Sequence, residues 1–126
     1  MDAMKVVGTR LLDETSAGTR VYPLYLPQNV TYPCISYFQI SASQTHAMGM
    51  DLNLWRVRIQ VDVWGETYAA TQVLADEVRA RLSRWKGTID GVTVIDTLFD
   101  DEEMVPDPDM MTYRVLQEYT MLAGTA

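Results

Sequence analysis

The stretch from residue 54 to residue 64 constrains the fold more than any other part of the chain. Hydrophobic side chains occupy every second position there, and polar side chains fill the positions between them. The hydrophobic set is Trp55, Val57, Ile59, Val61 and Val63, and the polar set is Arg56, Arg58, Gln60 and Asp62. Because successive side chains of a strand point to opposite faces, the pattern predicts an amphipathic β-strand with one buried face. A shift of one residue would bury two arginines, so the pattern also fixes the register.

Two helices are predicted, one on either side of this part of the chain. Residues 67–84 form the longer one, because Thr67 can cap it and an apolar stripe follows at helical spacing. The stripe consists of Ala70, Leu74, Val78, Leu82 and Trp85. Gly87 is expected to end this helix. A shorter helix is predicted over residues 2–14, where Met4, Val7, Leu11 and Leu12 recur at helical spacing.

The remaining apolar segments predict further strands. Residues 34–43 are rich in Ile, Tyr and Phe and are expected to be central in a sheet, whereas residues 20–23 form only a brief extended piece. Residues 92–99 and 113–122 alternate in hydrophobicity and predict two more strands. Residues 44–53 show no periodicity and are expected to be a loop or an arm.

Together these elements predict an α+β fold that forms one domain over residues 1–126. A chain of 126 residues has the usual size of a single domain. Hairpin-like connections after Ser43 and around Pro106 favour a mostly antiparallel sheet of four to five strands, with two helices packed on one face.

Charge is distributed unevenly along the chain. The net charge is -7, and eight acidic residues but no Lys or Arg lie between Gly87 and Tyr113. They are Asp90, Asp96, Asp100, Asp101, Glu102, Glu103, Asp107 and Asp109. An acidic chain is a poor ligand for nucleic acid, whose binding depends on Lys and Arg. The acidic run is expected to be a solvated loop that leads into a turn at residues 106–109.

Several function classes find no support in the sequence. A single cysteine excludes an intrachain disulfide, and no apolar run is long enough to span a membrane. The single cysteine suits a reducing cytoplasm, and the N-terminus lacks the order of charges and apolar residues of a signal peptide. Cys34 lies in an apolar strand where its pKa should rise, and His46 is the only histidine. The glycines match no phosphate-binding motif. We therefore expect no enzyme, no metal site and no cofactor.

The segments just described occur in an order that resembles a family of small phage proteins. The resemblance rests on residues 55–65 (WRVRIQVDVWG), the helix that follows, and three shorter segments. These are residues 20–23 (RVYP), 32–37 (YPCISY) and 113–119 (YRVLQEY). Over roughly residues 18–122 the chain is similar to the tail-completion, or tail-terminator, proteins of long-tailed phages and prophages.

The resemblance implies a structural protein of the virion, assembled in the host cytoplasm. It implies a ring, commonly a homohexamer, at the head-proximal end of the tail tube. The ring would stop tube growth and dock onto the head connector, so the implied partners are other copies of the chain, the tail tube protein and the connector. No cofactor, enzyme activity or membrane is implied.

Two sets of residues are candidates for this role. The polar face of the strand (Arg56, Arg58, Gln60 and Asp62) could meet a neighbouring subunit, together with an adaptable arm carrying Met48 and Met50. The acidic run (Asp100, Asp101, Glu102 and Glu103) could face the channel, where DNA must pass without binding.

Two other function classes stay open at the level of sequence. The first is another neck or head-completion subunit of the head–tail interface. The second is a small non-enzymatic binding module with a pocket between helix and sheet, lined by Trp55, Trp64, Tyr68 and Trp85.

Overall fold

The computed structural model describes residues 2–47, 50–107 and 112–125. Its elements in chain order are α1 (Ala3–Leu11), β1 (Val21–Pro23), β2 (Cys34–Ala47), β3 (Met50–Gly65), α2 (Tyr68–Leu82), β4 (Gly87–Ile89), β5 (Val92–Asp107) and β6 (Thr112–Thr125). The α+β class is thereby confirmed.

The sheet has six strands in the order β1-β2-β3-β6-β5-β4. Its pairs are antiparallel except β1 with β2, which run parallel. The prediction of four to five strands is corrected to six, because the short strands β1 and β4 each add only three residues at one side. Strand β1 lies within the brief extended piece predicted at residues 20–23, whereas β4 is too short to show an alternating pattern in the sequence.

The strand predicted at residues 54–64 is the middle of β3, which pairs with β2 on one side and β6 on the other. Its alternation is realised as expected. Val57, Ile59, Val61 and Val63 are fully buried, whereas Arg56 and Arg58 are exposed. The apolar face of β3 therefore forms the centre of the core.

Helix α2 begins after Thr67, whose side-chain oxygen accepts a hydrogen bond from the Ala70 N–H at 3.1 Å. The strand-to-helix turn needs Gly65, because an added Cβ there would collide with the hydroxyl of Thr71. The helix ends at Leu82, five residues before Gly87. Gly87 begins β4 instead, so the prediction that it ends the helix is wrong.

Both helices pack against the apolar face of the sheet. Helix α2 buries Leu74, Ala75 and Val78 against β3, β5 and β6. Helix α1 contacts β1 and β2 at one side of the sheet and β4 at the other, and Lys5 pairs with Asp90 at 3.0 Å. The sheet therefore curls around the helices. The face that they leave uncovered is named the open face below.

Two segments expected to be loops are strands. Strand β2 continues to Ala47 and β3 begins at Met50, so the described part of residues 44–53 is an extension of a β-hairpin. The acidic run lies in β5, where Asp101 pairs with Glu118 and Glu103 with Leu116. Its side chains are exposed, as the composition suggested, but backbone pairing with β6 keeps the segment extended.

Strand β2 is also less central than expected. It has β3 along one side, but its other side meets β1 only at residues 35–37. Most of its length therefore lies at the edge of the sheet.

Candidate functional site

The open face carries most of the charged residues that the sequence singled out. Residues directly opposite each other in paired strands point to the same side of a sheet. Gln60 pairs with Glu118, which pairs with Asp101, and Asp62 pairs with Leu116, which pairs with Glu103. The polar residues of β3 and two members of the acidic run therefore share one face, which their positions in the sequence do not predict.

Asp62 is the best-anchored polar residue of this face. It is 4% exposed and forms an ion pair with Arg114 at 2.8 Å. It also accepts a hydrogen bond from the Gln60 amide at 2.8 Å. The Arg114 guanidinium lies 4.8 Å from the centre of the Trp64 ring, in a cation–π contact. These contacts hold Asp62 and Gln60 in place before any partner binds.

Arg56 and Arg58 are both exposed, but their surroundings differ. Arg58 forms an ion pair with Glu118 of β6 at 2.8 Å, and both side chains remain partly accessible to solvent. Arg56 forms no ion pair with any residue in the described parts of the chain. An exposed ion pair is worth about 1 kcal/mol or less, so a partner could replace the Arg58–Glu118 contact at small cost.

The acidic run is divided between the two faces of β5. Asp101 and Glu103 lie on the open face, whereas Glu102 points to the helix side and accepts a hydrogen bond from the Gln117 amide at 2.9 Å. Asp100 lies at a register shift between Phe99 and Asp101 and accepts a hydrogen bond from the Thr120 hydroxyl. The four consecutive acids therefore do not act as one surface.

The predicted arm is only partly described. Met48 lies outside the described residues, and the side chain of Met50 does too. The same holds for the side chain of His46, at the end of β2. The described arm residues on either side are strand, with Gln44 paired to Trp55.

Nothing in the described residues resembles a catalytic or metal site. No group of three or more His, Cys, Asp or Glu side chains there could hold a metal ion. Cys34 is fully buried, and burial raises the pKa of its thiol to about 11. At neutral pH such a thiol is protonated and is a poor nucleophile. Neither helix in the described ranges is long and apolar enough to cross a membrane.

The aromatic residues expected to line one pocket are separated in the structure. Trp64 lies on the open face, opposite Arg114, whereas Trp55 and Trp85 pack against the core on the helix side. Tyr68 is 58% exposed. A helical or strand pattern cannot show which aromatic residues converge, and here they do not.

The core contains a polar cluster that the sequence pattern does not predict. Gln117 is fully buried, and its amide donates to the Ala75 carbonyl and to Glu102, each at 2.9 Å. The Tyr119 hydroxyl donates to the Gln117 side-chain oxygen at 2.8 Å. A glutamine on the same side of β6 as Val115 and Tyr119 was the available signal. The cluster joins α2, β5 and β6, and so positions the acidic strand.

The comparison with protein families is decisive. The sequence matches the family described as Tail completion protein gp17 over residues 7–123. The chain belongs to this family. Tail completion proteins are structural proteins of the virion, so the chain is a structural tail protein and not an enzyme. The resemblance noted in the sequence is thereby confirmed.

Structural comparison extends the relationship beyond recognisable sequence. The fold of this tail completion protein matches a chain from the virion of a native gene transfer agent (GTA) particle with a TM-score of 0.71. The two sequences are 12% identical, and the match covers 94% of this chain and 84% of the other. At that identity the likeness establishes a shared fold. No curated protein matches the sequence.

Proposed function

We propose that this tail completion protein is a tail terminator. Copies of the chain form a ring, commonly a homohexamer, at the head-proximal end of the tail tube, where the ring stops polymerisation of the tube protein and joins the tail to the head connector. The family match over residues 7–123 carries this proposal. The open face supports it, because a sheet face that its own helices leave uncovered offers a surface for other proteins.

The polar residues of β3 are proposed as part of the contact with a neighbouring subunit. A closed ring needs two different patches on each subunit that meet head to tail. Arg56 supports such a role because it is exposed and forms no ion pair within the described residues. Arg58, Gln60 and Asp62 adjoin it on the open face, where Asp62 is held by Arg114. Met48 and Met50 of the hairpin arm are proposed to pack against the same neighbour.

The acidic run is proposed to face the channel through which DNA passes. Like charge on the channel wall would keep DNA from binding during ejection. We restrict this proposal to Asp101 and Glu103. The Asp100 carboxylate already accepts a hydrogen bond from the Thr120 hydroxyl, and the Glu102 carboxylate accepts one from the Gln117 amide. A structure of the assembled ring with Asp101 and Glu103 on its outer rim would overturn this part.

Deletion of the gene from the phage or prophage that encodes this chain tests the proposed role. A terminator predicts tails of uncontrolled length, and restoring the intact chain should return the normal length. Electron micrographs of wild-type tails carrying a labelled chain should show a ring at the head-proximal tip. Tails of normal length that lack heads would instead identify a head-joining neck subunit. A chain that is absent from purified particles would contradict both roles.

A further inference from the structure

The sheet leaves two long strand edges without a partner, at its opposite sides. Strand β1 covers β2 only at residues 35–37, so β2 has a single strand neighbour from Phe38 onward. Strand β4 covers β5 only at residues 92–94, and a further backbone bond joins Arg84 to Thr97. Beyond Thr97, no described residue pairs with the outer edge of β5. Each edge presents unpaired backbone groups that can bind another strand.

The two edges differ in how they are protected. The β5 edge carries four consecutive acids, a register shift after Phe99, and Pro106, which are features that protect a strand edge from indiscriminate pairing. The β2 edge carries no Asp, Glu, Lys or Arg from residue 34 to residue 47. Gln39, Ser41 and Ser43 are exposed along it, and Ile40 is 38% exposed. An edge of this length without charge is suited to accept a partner strand.

We infer that the β2 edge of one subunit pairs with the β5 edge of the next, so that the sheet continues from subunit to subunit. The occupant of each edge is a second copy of this chain. The inference rests on the proposed ring and names the contact that builds it. A pair of two β5 edges would oppose two acidic runs, and a pair of two β2 edges would yield a closed dimer. Only a β2 edge paired with a β5 edge is a head-to-tail contact, which a closed ring requires.

Strand direction is compatible with this contact. From β2 to β3, β6 and β5 each neighbour runs antiparallel to the last, so β2 and β5 of one chain run in opposite directions. Rotation about an axis along the strands leaves their directions unchanged. A neighbour related by such a rotation therefore presents β5 antiparallel to β2, which is the pairing that already predominates in this sheet.

Charge favours the same pairing. Ser41 pairs with Arg58 and Ser43 with Arg56, so both arginines lie one strand inward from the β2 edge on the open face. A neighbour's Asp101 and Glu103 on that face would lie two strand spacings from these arginines, roughly 10 Å away. That separation exceeds the Debye length of about 8 Å at physiological salt, so the attraction between the opposite charges is weak there and grows as the salt concentration falls.

Disulfide trapping in the full chain tests the contact. Cysteine is introduced at one β2 position (Ser41→Cys or Ser43→Cys) together with one β5 position (Asp101→Cys or Glu103→Cys), and Cys34 remains because it is fully buried. The four combinations sample the register, since paired strands bring Cα atoms within disulfide range. Oxidation of at least one combination should give a ladder of multimers. Ser41→Cys with Thr93→Cys is the control, because β4 covers β5 at Thr93.

Charge variants of the β2 edge provide a second measurement in the same protein. Ser41→Asp with Ser43→Asp should weaken self-association about tenfold or more, because the new acids would face those of β5. Ser41→Lys with Ser43→Lys should preserve or strengthen it. Ser41 and Ser43 are exposed, so circular dichroism should show that neither double variant changes the fold.

The outcomes separate this inference from the proposed function. Rings at tail tips without disulfide ladders in any combination, and with equal assembly of the Asp and Lys variants, would overturn edge pairing and leave the terminator role standing. An open-ended ladder from a chain that forms no ring on tails would support edge pairing and overturn the ring. If neither disulfide ladders nor rings are observed, both edge pairing and the terminator ring are overturned.

Discussion

Gln117 shows how one buried polar residue can organise a core. Its amide and carbonyl groups are matched by Ala75, Glu102 and Tyr119, so the residue carries no unmet hydrogen-bonding group that would make its burial costly. The same residue ties β6 to α2 and to the acidic strand β5. It therefore contributes to the position of Asp101 and Glu103 as well as to stability.

Replacing Gln117 by leucine should lower the free energy of unfolding by about 1–3 kcal/mol, because the Tyr119 hydroxyl would be buried without a partner and the hydrogen bond from β6 to the Ala75 carbonyl of α2 would be lost. Urea unfolding followed by tryptophan fluorescence measures the change. Gln28→Leu, at an exposed loop position, serves as the control and should be close to neutral. A loss as small as that of the control would show that the cluster is not structurally important.

Cys34 should make stability depend on alkaline pH. Burial raises the pKa of its thiol from 9.0 to about 11, so folding favours the protonated form. Its contribution is complete below pH 9 and is lost as pH rises towards 11, by on the order of 2 kcal/mol. Unfolding measured from pH 8 to pH 11 should show a steeper fall for the wild type than for Cys34→Ala. Parallel profiles would contradict this prediction.

At the scale of elements, pairing partners decide what a segment becomes. The acidic run has a composition that is typical of loops, yet it lies in β5 because β6 pairs with it from Val92 to Asp107, with two register shifts along the way. Residues 44–47 and 50–53 likewise extend a hairpin because each side pairs with the other. In both cases the pattern of the segment alone gave too little information, because the partner strand is distant in sequence or follows a turn.

The N-terminus of α2 is an element whose stability can be tested directly. Thr67→Ala removes the hydroxyl that accepts a hydrogen bond from the Ala70 N–H and should cost about 1 kcal/mol. Thr67→Ser retains the oxygen and should stay close to the wild type. Thermal unfolding of the three proteins measures the difference. An alanine variant as stable as the serine variant would show that the cap is unimportant.

At the scale of the whole molecule, the placement of both helices on one face determines which surface is left for assembly. The open face presents Arg56 and Arg58 near one edge and Asp101 and Glu103 near the other. Basic residues near one edge and acidic residues near the other suit a head-to-tail ring, because each contact between subunits then joins a basic patch to an acidic one.

Arg56→Glu combined with Arg58→Glu should block ring formation while the fold is retained, because both side chains are exposed and the reversed charge would repel a neighbour's acids. Sedimentation of the purified chain and micrographs of tails assembled with it measure the effect. Lys5→Glu with Lys86→Glu changes the net charge equally at exposed positions outside β3 and is the matched control. Normal assembly of the arginine variant would show that Arg56 and Arg58 are solvated and do not contribute to the contact between subunits.

Elements that depend on local sequence information could be predicted without the structure. The alternation at residues 54–64 predicted β3 and its buried face, and Thr67 with the apolar stripe predicted α2, because side-chain period and capping depend on neighbours a few residues away. The order of these segments was also sufficient to recognise the phage family.

The way in which distant residues combine follows from the tertiary structure. It placed the acidic run in β5, divided Glu102 from Asp101 and Glu103, buried Gln117 with its partners, and moved Trp64 away from the other aromatic residues. Each of these depends on which strands pair and in which register, and that choice is made between segments that are distant in sequence, as with Trp55 and Ala123. The two uncovered edges of the sheet follow from the same pairing. Strand β3 thus presents its apolar face to the core, as its alternating sequence predicts. The residues that lie beside its polar face belong to β2 and β6 and are known only from the pairing of the strands.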